Sequence, residues 1–304
     1  MDKSKIESLL EGYKLNELRE VSSFLINCYQ TKDVTNGDLI DCDLKAKVYA
    51  AIRMPATSKV CYEVFNRIFD IYNPEIDSVL DVGSGLGAMS DALSYYKKLD
   101  KIDALEINEH MINVSKLIND IPFQYINNDV TSSDIKKHDL VMSSYVLNEI
   151  GTRHRKETMR KMYEAANKLL VVVEPGTPEG FQVIKEIREY ALKHGGYIVA
   201  PCTHQDKCEM YNDWCHFLTR VERSKLHKLL KGGDVPYEDE KYSYIAISKE
   251  PIKVEGNRIL RHPHIYKGMV EVEVCNASGI NKTQIRKNHP NYKVIKKLDS
   301  NDKY

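Results

Sequence analysis

The sequence predicts an α/β fold in which a largely parallel, doubly wound sheet follows an N-terminal helical region. From residue 73 onward, short apolar segments alternate with helical patterns, and this alternation is typical of βαβ units. The segment Val79–Gly87 reads VLDVGSGLG, an apolar strand that ends in a glycine-rich turn before a helix. Leu169–Val173 is almost entirely apolar, as expected for a central strand that is buried on both faces.

The composition indicates a globular protein. The chain has 304 residues, of which 42% are hydrophobic, with 44 Lys and Arg against 44 Asp and Glu. This length allows a sizeable core, and the balanced charge names no partner. From Pro251 to the end, however, there are 11 Lys and Arg against 5 Asp and Glu. Such a basic segment is typical either of an RNA-binding surface or of a solvated tail.

The ends of the chain and its cysteines bear on its location. Met1–Lys5 has no apolar segment, so we expect no secretory signal. No apolar run approaches the roughly 18 residues that a membrane span needs. The seven cysteines, an odd number, argue against a disulfide framework. We therefore expect a cytoplasmic protein, or a protein of the mitochondrial matrix if the source is eukaryotic, with no membrane partner.

The predicted elements follow in chain order. Residues 1–72 are predicted to be helical: Val60, Val64 and Ile68 recur on one helix face, and Pro55 ends an earlier helix. The predicted strands are Ser78–Val82, Lys101–Ile107, Phe123–Asn127, Asp139–Ser143, Leu169–Val173, Tyr197–Ala200 and Tyr242–Ser248. The predicted helices between them are Ala88–Lys97, His110–Ile118, Arg153–Lys168 and one that Thr177 caps and Pro178 begins.

The C-terminal region has a different pattern. Met269–Cys275 alternates apolar and acidic residues, which predicts a half-exposed strand. Beyond Gly279 the chain is basic and weakly patterned, so we expect a small β appendage followed by a frayed tail. The predicted regions are a helical region at 1–72, a main domain at 73–250 with a cysteine-rich segment at 201–222, and a basic C-terminal β appendage and tail at 251–304.

The glycine-rich turn matches the loops of two cofactor classes. Gly83, Gly85 and Ala88 fit the dinucleotide-binding pattern, whose third position accepts alanine. Asp81, Gly83, Gly85 and Gly87 fit the spacing of loops that bind S-adenosylmethionine. The carboxylate of Asp81 would repel a pyrophosphate but can approach the cationic amino-acid end of S-adenosylmethionine. The local chemistry therefore favours S-adenosylmethionine, while a dinucleotide or a loop without a ligand stays an alternative.

Two acidic residues at the ends of later strands support a cofactor site. Glu106 ends the second strand, where an acid can accept hydrogen bonds from both ribose hydroxyls of either cofactor. Asp129 follows the third strand and can accept a hydrogen bond from an adenine amino group. The predicted cofactor-binding residues are Asp81, Gly83, Ser84, Gly85, Gly87, Glu106, Asp129 and Ser143.

The sequence does not identify catalytic residues. The fourth strand ends in Ser143–Glu149, which reads SSYVLNE, and folds of this kind usually place substrate-contacting groups here. The segment has no Asn-Pro-Pro-Tyr to hold an exocyclic amine and no cysteine to attack a pyrimidine. Tyr145, Asn148 and Glu149 are candidates for substrate contact, but an ordinary strand end explains them equally well. Catalysis of methyl transfer is therefore left open.

A cluster of cysteines and histidines predicts a metal site. Three cysteines and two histidines lie within 15 residues: Cys202, His204, Cys208, Cys215 and His216. Structural zinc sites usually begin with a tighter Cys-x2–4-Cys pair, whereas wider spacing suits an iron–sulfur cluster. Cys275 is a candidate fourth ligand, with His204 or His216 as substitutes. Zinc and reduced structural thiols remain alternatives, but radical S-adenosylmethionine chemistry lacks its tight Cys-x3-Cys-x2-Cys run.

Several longer motifs resemble one protein family. They occur in order along the chain: Arg53–Thr57 (RMPAT), Val173–Phe181 (VEPGTPEGF), Ala200–His204 (APCTH), Asp213–Phe217 (DWCHF), Arg220–Ser224 (RVERS) and Tyr237–Tyr244 (YEDEKYSY). Together they resemble the Rsm-type methyltransferase-like family of the mitochondrial ribosomal small subunit and its bacterial homologues. The resemblance runs from about Arg53 to Cys275.

The resemblance implies a fold, two cofactors and a partner. It implies the class I S-adenosylmethionine-dependent methyltransferase fold, which is Rossmann-like, with Asp81–Gly87 as its cofactor loop. It also implies a 4Fe-4S cluster whose ligands are Cys202, Cys208, Cys215 and Cys275. The implied role is in assembly or translation at the small ribosomal subunit, acting on or docking to rRNA, and we expect a monomer. The family's basic, aromatic C-terminal segment is matched loosely, by Lys282, Arg286, Lys287, Tyr292, Lys296 and Lys297.

Overall fold

A computed structural model describes residues 3–31 and 39–304. Within these ranges, eight strands form a central mixed sheet with helices on both faces, and four strands form a smaller antiparallel sheet. The parts of the predicted helical region at residues 1–2 and 32–38 lie outside the described residues. No helix of the described ranges is both long and apolar enough to cross a membrane.

The central sheet supplies the frame for the candidate sites. Its strands are β1 (Val79–Val82), β2 (Ile102–Glu106), β3 (Phe123–Asn127), β4 (His138–Ser144), β5 (Ala166–Pro175), β6 (Tyr197–Ala200), β7 (Phe217–Glu222) and β8 (Tyr237–Ser248). The order is β3-β2-β1-β4-β5-β8-β6, and β7 pairs with β8. Strands β1 to β5 run parallel to one another, whereas β8 runs antiparallel to β5, β6 and β7.

The helices begin and end at recognisable signals. They are α1 (Lys3–Ser8), α2 (Leu15–Thr31), α3 (Asp43–Ile52), α4 (Met54–Phe69), α5 (Ala88–Ser94), α6 (Glu109–Ile118), α7 (Thr152–Ala165), α8 (Pro178–Lys193), α9 (Lys225–Lys231) and α10 (Tyr292–Ile295). Thr177 caps α8 by accepting a hydrogen bond from the Gly180 amide. Asn108 caps α6 in the same way through the Met111 amide. Pro55 lies in the first turn of α4, where its missing N–H is tolerated.

The N-terminal helices pack beside the glycine-rich turn. Leu25 of α2 and Ile52 of α3 are fully buried in one apolar cluster with Val114 of α6. The same cluster includes Leu86 and Ala88 from the turn and the start of α5. Burying one such aliphatic side chain contributes about 1.5–3 kcal/mol, so this shared apolar cluster anchors the helical region to the glycine-rich turn.

The C-terminal sheet has its own small core. Its strands are β9 (Arg258–Ile259), β10 (His264–Tyr266), β11 (Met269–Asn276) and β12 (Gly279–Arg286). Ile285 packs with Tyr292 and Ile295 of α10 against the buried face of β11. The prediction of a frayed tail beyond Gly279 is therefore wrong, because this segment forms a strand and a helix whose apolar side chains are buried.

Buried polar contacts join this sheet to the central domain. Arg258 is buried, and its Nε donates a hydrogen bond to the Pro201 carbonyl over 2.7 Å. Thr203 Oγ1 donates to the Cys275 carbonyl over 3.2 Å. These contacts hold β11 against the loop that carries the first of the clustered cysteines.

Three further features of the main domain differ from the prediction. Strand β7 was not predicted, although Phe217–Glu222 alternates buried and exposed side chains. Strand β8 begins at Tyr237, five residues before the predicted start at Tyr242, because its first half pairs with β7. Helix α5 ends at Ser94 instead of Lys97.

Candidate functional site

The glycine-rich turn places three glycines in the left-handed region of backbone space. Their φ angles are +64° at Gly83, +52° at Gly85 and +82° at Gly87, which other residues adopt only with strain. A Cβ at Gly83 would lie 2.3 Å from a methyl of Val146, and one at Gly87 would lie 2.7 Å from the Phe123 ring. A Cβ at Gly85 would meet no atom closer than 3.6 Å, so Gly85 is the glycine that borders open space.

Three buried oxygens around the turn lack a partner in the described part of the chain. They are Asp81 Oδ1, Ser84 Oγ and Ser143 Oγ. The other oxygen of Asp81 accepts a hydrogen bond from Ser90 Oγ over 2.7 Å. Asp81 is 1% exposed, and this burial raises its pKa to about 7. Buried oxygens without partners usually bond to water or to a ligand.

Glu106 lies at the end of β2 with both carboxylate oxygens held by the backbone. The amide of Gly85 donates to Oε2 and the amide of Asn108 donates to Oε1, each over 2.8 Å. Burial raises the pKa of this carboxyl. Each oxygen still has a second lone pair, so Glu106 can accept hydrogen bonds from two further hydroxyls while it fixes the turn.

A cavity of about 240 Å³ lies between the turn, the ends of β2 and β4, and the N-terminal helices. Five of the eight predicted cofactor residues line it: Gly83, Ser84, Gly85, Glu106 and Asp129. The other three do not line it: Asp81, Gly87 and Ser143. Asp81 and Ser143 lie on adjacent strands behind the turn, and Gly87 packs against an aromatic ring.

The N-terminal helices contribute cavity residues that sequence reasoning missed. Tyr29 of α2 and Tyr49 of α3 both line the cavity, with ring centroids 6.0 Å apart. Burial raises the pKa of Tyr49 to about 12. Asn108 also lines the cavity, and its side chain donates to the Ile40 carbonyl over 2.8 Å. No local sequence signal marks these residues, because only tertiary packing brings them to the loop.

The residues after β4 form a strained turn at the cavity wall. Tyr145 has a φ of +61°, a conformation that costs a non-glycine residue about 1–3 kcal/mol. Its hydroxyl is buried without a partner among the described residues. Glu174 is fully buried, and its carboxylate accepts hydrogen bonds from the Leu147 and Asn148 amides at 2.9 and 3.2 Å. Of the predicted substrate-contact candidates, Tyr145 and Glu149 line the cavity and Asn148 does not.

A second cavity, of about 40 Å³, is lined by the clustered cysteines. Four cysteines and one histidine line it: Cys202, His204, Cys208, Cys215 and Cys275. All four cysteines are free thiols. Burial raises the pKa of the Cys275 thiol to about 12, and the neighbouring Cys202 and Cys208 add to that shift. The fold therefore brings together the three clustered cysteines and the distant Cys275.

Of the two histidines in the motif, His204 lines the cysteine cavity and His216 does not. His204 Nε2 lies 3.4 Å from Cys275 Sγ, whereas His216 stacks on Trp214 with ring centroids 5.2 Å apart. In the described ranges, no group of three His, Cys, Asp or Glu side chains is placed to hold a metal ion. The thiols thus line a shared space without converging on one point.

The comparison with known families decides the relationship of this chain. The sequence model of a family described as mitochondrial small ribosomal subunit Rsm22 matches residues 43–304. The chain belongs to this family. The resemblance predicted from the motifs at Arg53–Thr57 and Val173–Phe181 is thereby confirmed.

The chain is also similar to one curated relative. It is 24% identical over 276 residues to the human protein described as mitochondrial ribosome assembly protein METTL17. The match covers 82% of this chain and 56% of that protein, so the chain spans little more than half the length of the curated relative.

The chain is also similar, at low identity, to solved structures of methyltransferases. The plantazolicin methyltransferase BpumL with bound SAH is 14% identical, with a TM-score of 0.45 over 78% of this chain and 98% of that one. The magnesium protoporphyrin IX methyltransferase of Synechocystis PCC 6803 with bound SAH is 16% identical, with a TM-score of 0.43 over 67% and 87%. In this chain the strands β1 to β5 of the mixed sheet run parallel to one another, β8 runs antiparallel to β5, and the glycine-rich turn follows β1.

Proposed function

We propose that this chain is a methyltransferase-like protein of small-subunit ribosome assembly that binds S-adenosylmethionine and a 4Fe-4S cluster and acts on or docks to rRNA, with transfer of the methyl group to rRNA as the first candidate activity. The family match over residues 43–304 is the observation that carries the proposal, and a similar human protein is described as a mitochondrial ribosome assembly protein. In a eukaryotic source the expected place is the mitochondrial matrix. The two cavities supply the cofactor sites.

The first cavity fits S-adenosylmethionine by the chemistry of its walls. Glu106 offers two lone pairs for ribose hydroxyls, and Asp129 lines the same space near the expected adenine. The open backbone at Gly85 lets a ligand approach the turn closely. Asp81 does not line the cavity, but it lies behind this turn, where its buried Oδ1 lacks a partner among the described residues. When bound, the cofactor supplies a methyl group on a cationic sulfur.

An acceptor for that methyl group would lie at the β4 end of the cavity. Methyl transfer is an in-line displacement, so the protein's task is to align the acceptor and accept its proton. Tyr145 and Glu149 line this part of the cavity and would position the acceptor.

A non-catalytic assembly factor is the second candidate function. The observation that favours it is the position of Glu174 near the end of β5. Its buried carboxylate accepts hydrogen bonds from two backbone amides of the turn after β4, so it stabilises that turn and is not free to accept a proton from a methyl acceptor. Incubation of the chain with immature small subunits and methyl-labelled S-adenosylmethionine separates the two candidates. Labelled rRNA supports a methyltransferase, and no label with intact cofactor binding supports the non-catalytic role.

The second cavity fits an iron–sulfur cluster by its donors and walls. Thiolates are the usual ligands of iron–sulfur clusters, and four cysteines line this cavity. The other walls include apolar side chains of Phe181, Ile184 and Leu260. A single zinc ion, the alternative, would draw all sulfurs to about 2.3 Å from one point.

The basic C-terminal region supports docking to RNA. Six cations on β12, α10 and the adjoining turns are exposed, and none forms a salt bridge with a described residue: Lys282, Arg286, Lys287, Lys293, Lys296 and Lys297. Exposed cations that lack acidic partners suit a phosphate backbone. Tyr292 is buried in the small core, so it does not offer a face for base stacking.

Sedimentation with ribosomal subunits tests the docking. We expect the wild-type chain to co-sediment with immature small subunits, and the Lys296→Glu/Lys297→Glu variant to lose this association as salt is raised. The matched control is Lys136→Glu/Lys137→Glu, an adjacent exposed pair near β4. Equal association of the two variants would contradict docking through the C-terminal region.

A further inference from the structure

Arg188 is a buried cation beside the cysteine cavity. It lies on α8, lines the cavity with the four cysteines and is 3% exposed. Its Nη2 donates to the backbone carbonyl oxygens of His204 and Asp206. Its Nε and Nη1 have no hydrogen-bond partner in the described ranges.

No described carboxylate forms an ion pair with Arg188. The carboxylate of Asp206 is 75% exposed, and its recorded ionic contact is with His204 Nδ1 at 4.0 Å. The partners of Arg188 are neutral carbonyls, so its charge is buried without compensation. A buried, unpaired charge is strongly destabilising, and its position therefore indicates that an anionic group occupies the neighbouring space.

A second cation on the same helix shows the contrast. Lys185 also lines the cavity, but its Nζ donates to the Met210 carbonyl over 3.2 Å and lies 4.9 Å from the Tyr211 ring centroid. Lys185 thus has partners for its charge, whereas two guanidinium nitrogens of Arg188, Nε and Nη1, have no partner among the described residues.

We propose that Arg188 supplies the counter-charge and N–H donors for an anionic, thiolate-ligated iron–sulfur group in the cysteine cavity. The inference rests on the cluster site proposed above. Four thiolate ligands give such a group a net negative charge. Hydrogen bonds to the sulfurs and local charge are the features through which a protein sets the reduction potential of a cluster. Arg188 is a positioning residue that stabilises the bound group and favours its reduced form.

Three variants test this role. Arg188→Met removes the charge and keeps most of the volume, Arg188→Lys keeps the charge, and Lys193→Met removes an exposed charge from the same helix as a matched control. Each chain is reconstituted anaerobically with ferrous iron and sulfide. The readouts are iron and sulfide content, the rate of iron loss to a chelator, the reduction midpoint potential, and the thermal midpoint with and without the cluster.

We expect Arg188→Met to lose its iron at least about tenfold faster than wild type, as for other groups that support metal ligands. Its reduction potential should become more negative, because removing a positive charge disfavours the added electron. The cluster-free variant should be as stable as the cluster-free wild type or more so, since an unpaired buried charge is gone. Arg188→Lys should recover most of the potential, and Lys193→Met should match wild type.

Unchanged iron retention and potential in Arg188→Met would overturn the role of Arg188 while leaving the cluster site in place. Equal destabilisation of the loaded and cluster-free variant would also overturn it, because that result indicates packing alone. If the wild-type chain takes up no iron and sulfide, both this role and the proposed cluster site are overturned.

Discussion

Replacing Glu106 with glutamine separates the structural and ligand-binding parts of the cofactor site. The carboxylate accepts two backbone N–H bonds of 2.8 Å, from Gly85 and Asn108. In Glu106→Gln only one side-chain atom can accept, so one amide of the turn faces an NH2 group. An unsatisfied buried donor costs about 1–3 kcal/mol, so we expect the free energy of unfolding of the variant to be lower than that of wild type by about this amount.

The expected effect on cofactor binding is larger. The variant also loses the charged acceptor for two ribose hydroxyls, and a hydrogen bond to a charged group contributes about 1.5–3 kcal/mol. We therefore expect the affinity for S-adenosylmethionine to fall by about tenfold to several hundredfold. Isothermal titration calorimetry measures the affinity, and urea unfolding measures the stability.

A neighbouring acid provides the matched control. Glu109 lies three residues further on, exposed at the start of α6, so Glu109→Gln makes the same chemical change away from the cavity. We expect this variant to bind S-adenosylmethionine as wild type does. If Glu106→Gln keeps its fold and binds the cofactor within threefold of wild type, the assignment of Glu106 to the ribose is refuted.

Three further changes have defined outcomes. Gly83→Ala should lower the free energy of unfolding by about 2 kcal/mol or more, because Gly83 has a positive φ and its Cβ would lie 2.3 Å from a side-chain carbon of Val146. The control is Gly151→Ala, where a Cβ meets nothing within 4 Å. Equal urea midpoints of the two variants would contradict this expectation. Burial raises the pKa of Asp81 to about 7 from 3.8, so the folded state favours the protonated carboxyl. The contribution of this protonated Asp81 to the stability of the fold is therefore lost as pH rises from about 4 to about 7. Asp81→Asn should gain stability relative to wild type by up to about 4 kcal/mol over that range, and parallel pH profiles of unfolding would count against this. Cys275→Ser should abolish cluster binding, as measured by iron content. The control Cys42→Ser changes an exposed thiol outside the cavity and should keep its iron. Iron retained in both variants would remove Cys275 from the ligand set.

The glycine-rich turn was predictable because its signal is local. The strand and turn of Val79–Gly87 and the helix after them follow from an apolar run and three glycines, and the structure has β1, the turn and α5 there. The part of the cavity formed by Tyr29 and Tyr49 was not predictable. Those residues reach the loop only through the packing of α2 and α3, and their sequence surroundings resemble any amphipathic helix.

The cysteine site was predictable in part for a similar reason. Cys202, Cys208 and Cys215 are close in sequence, whereas Cys275 lies on β11 and reaches the cavity only because the second sheet docks against the cysteine loop. Arg188 carried no sequence signal, since its importance depends on the burial of α8 against the cysteine loop.

The tail and β7 show two ways in which local patterns mislead. Ile285 and Tyr292 look isolated in a basic sequence, yet both are buried because β11 and β12 supply a surface for them. Phe217–Glu222 has the alternation of a strand, but it directly follows the cysteine motif and was grouped with it.

The iron and sulfide content of anaerobically purified protein tests most directly the central claim, that the four cysteines around this cavity hold a 4Fe-4S cluster. We expect brown protein with broad absorbance near about 400 nm and about four iron and four sulfide per chain. Colourless protein that contains one equivalent of zinc, or no metal, would contradict it.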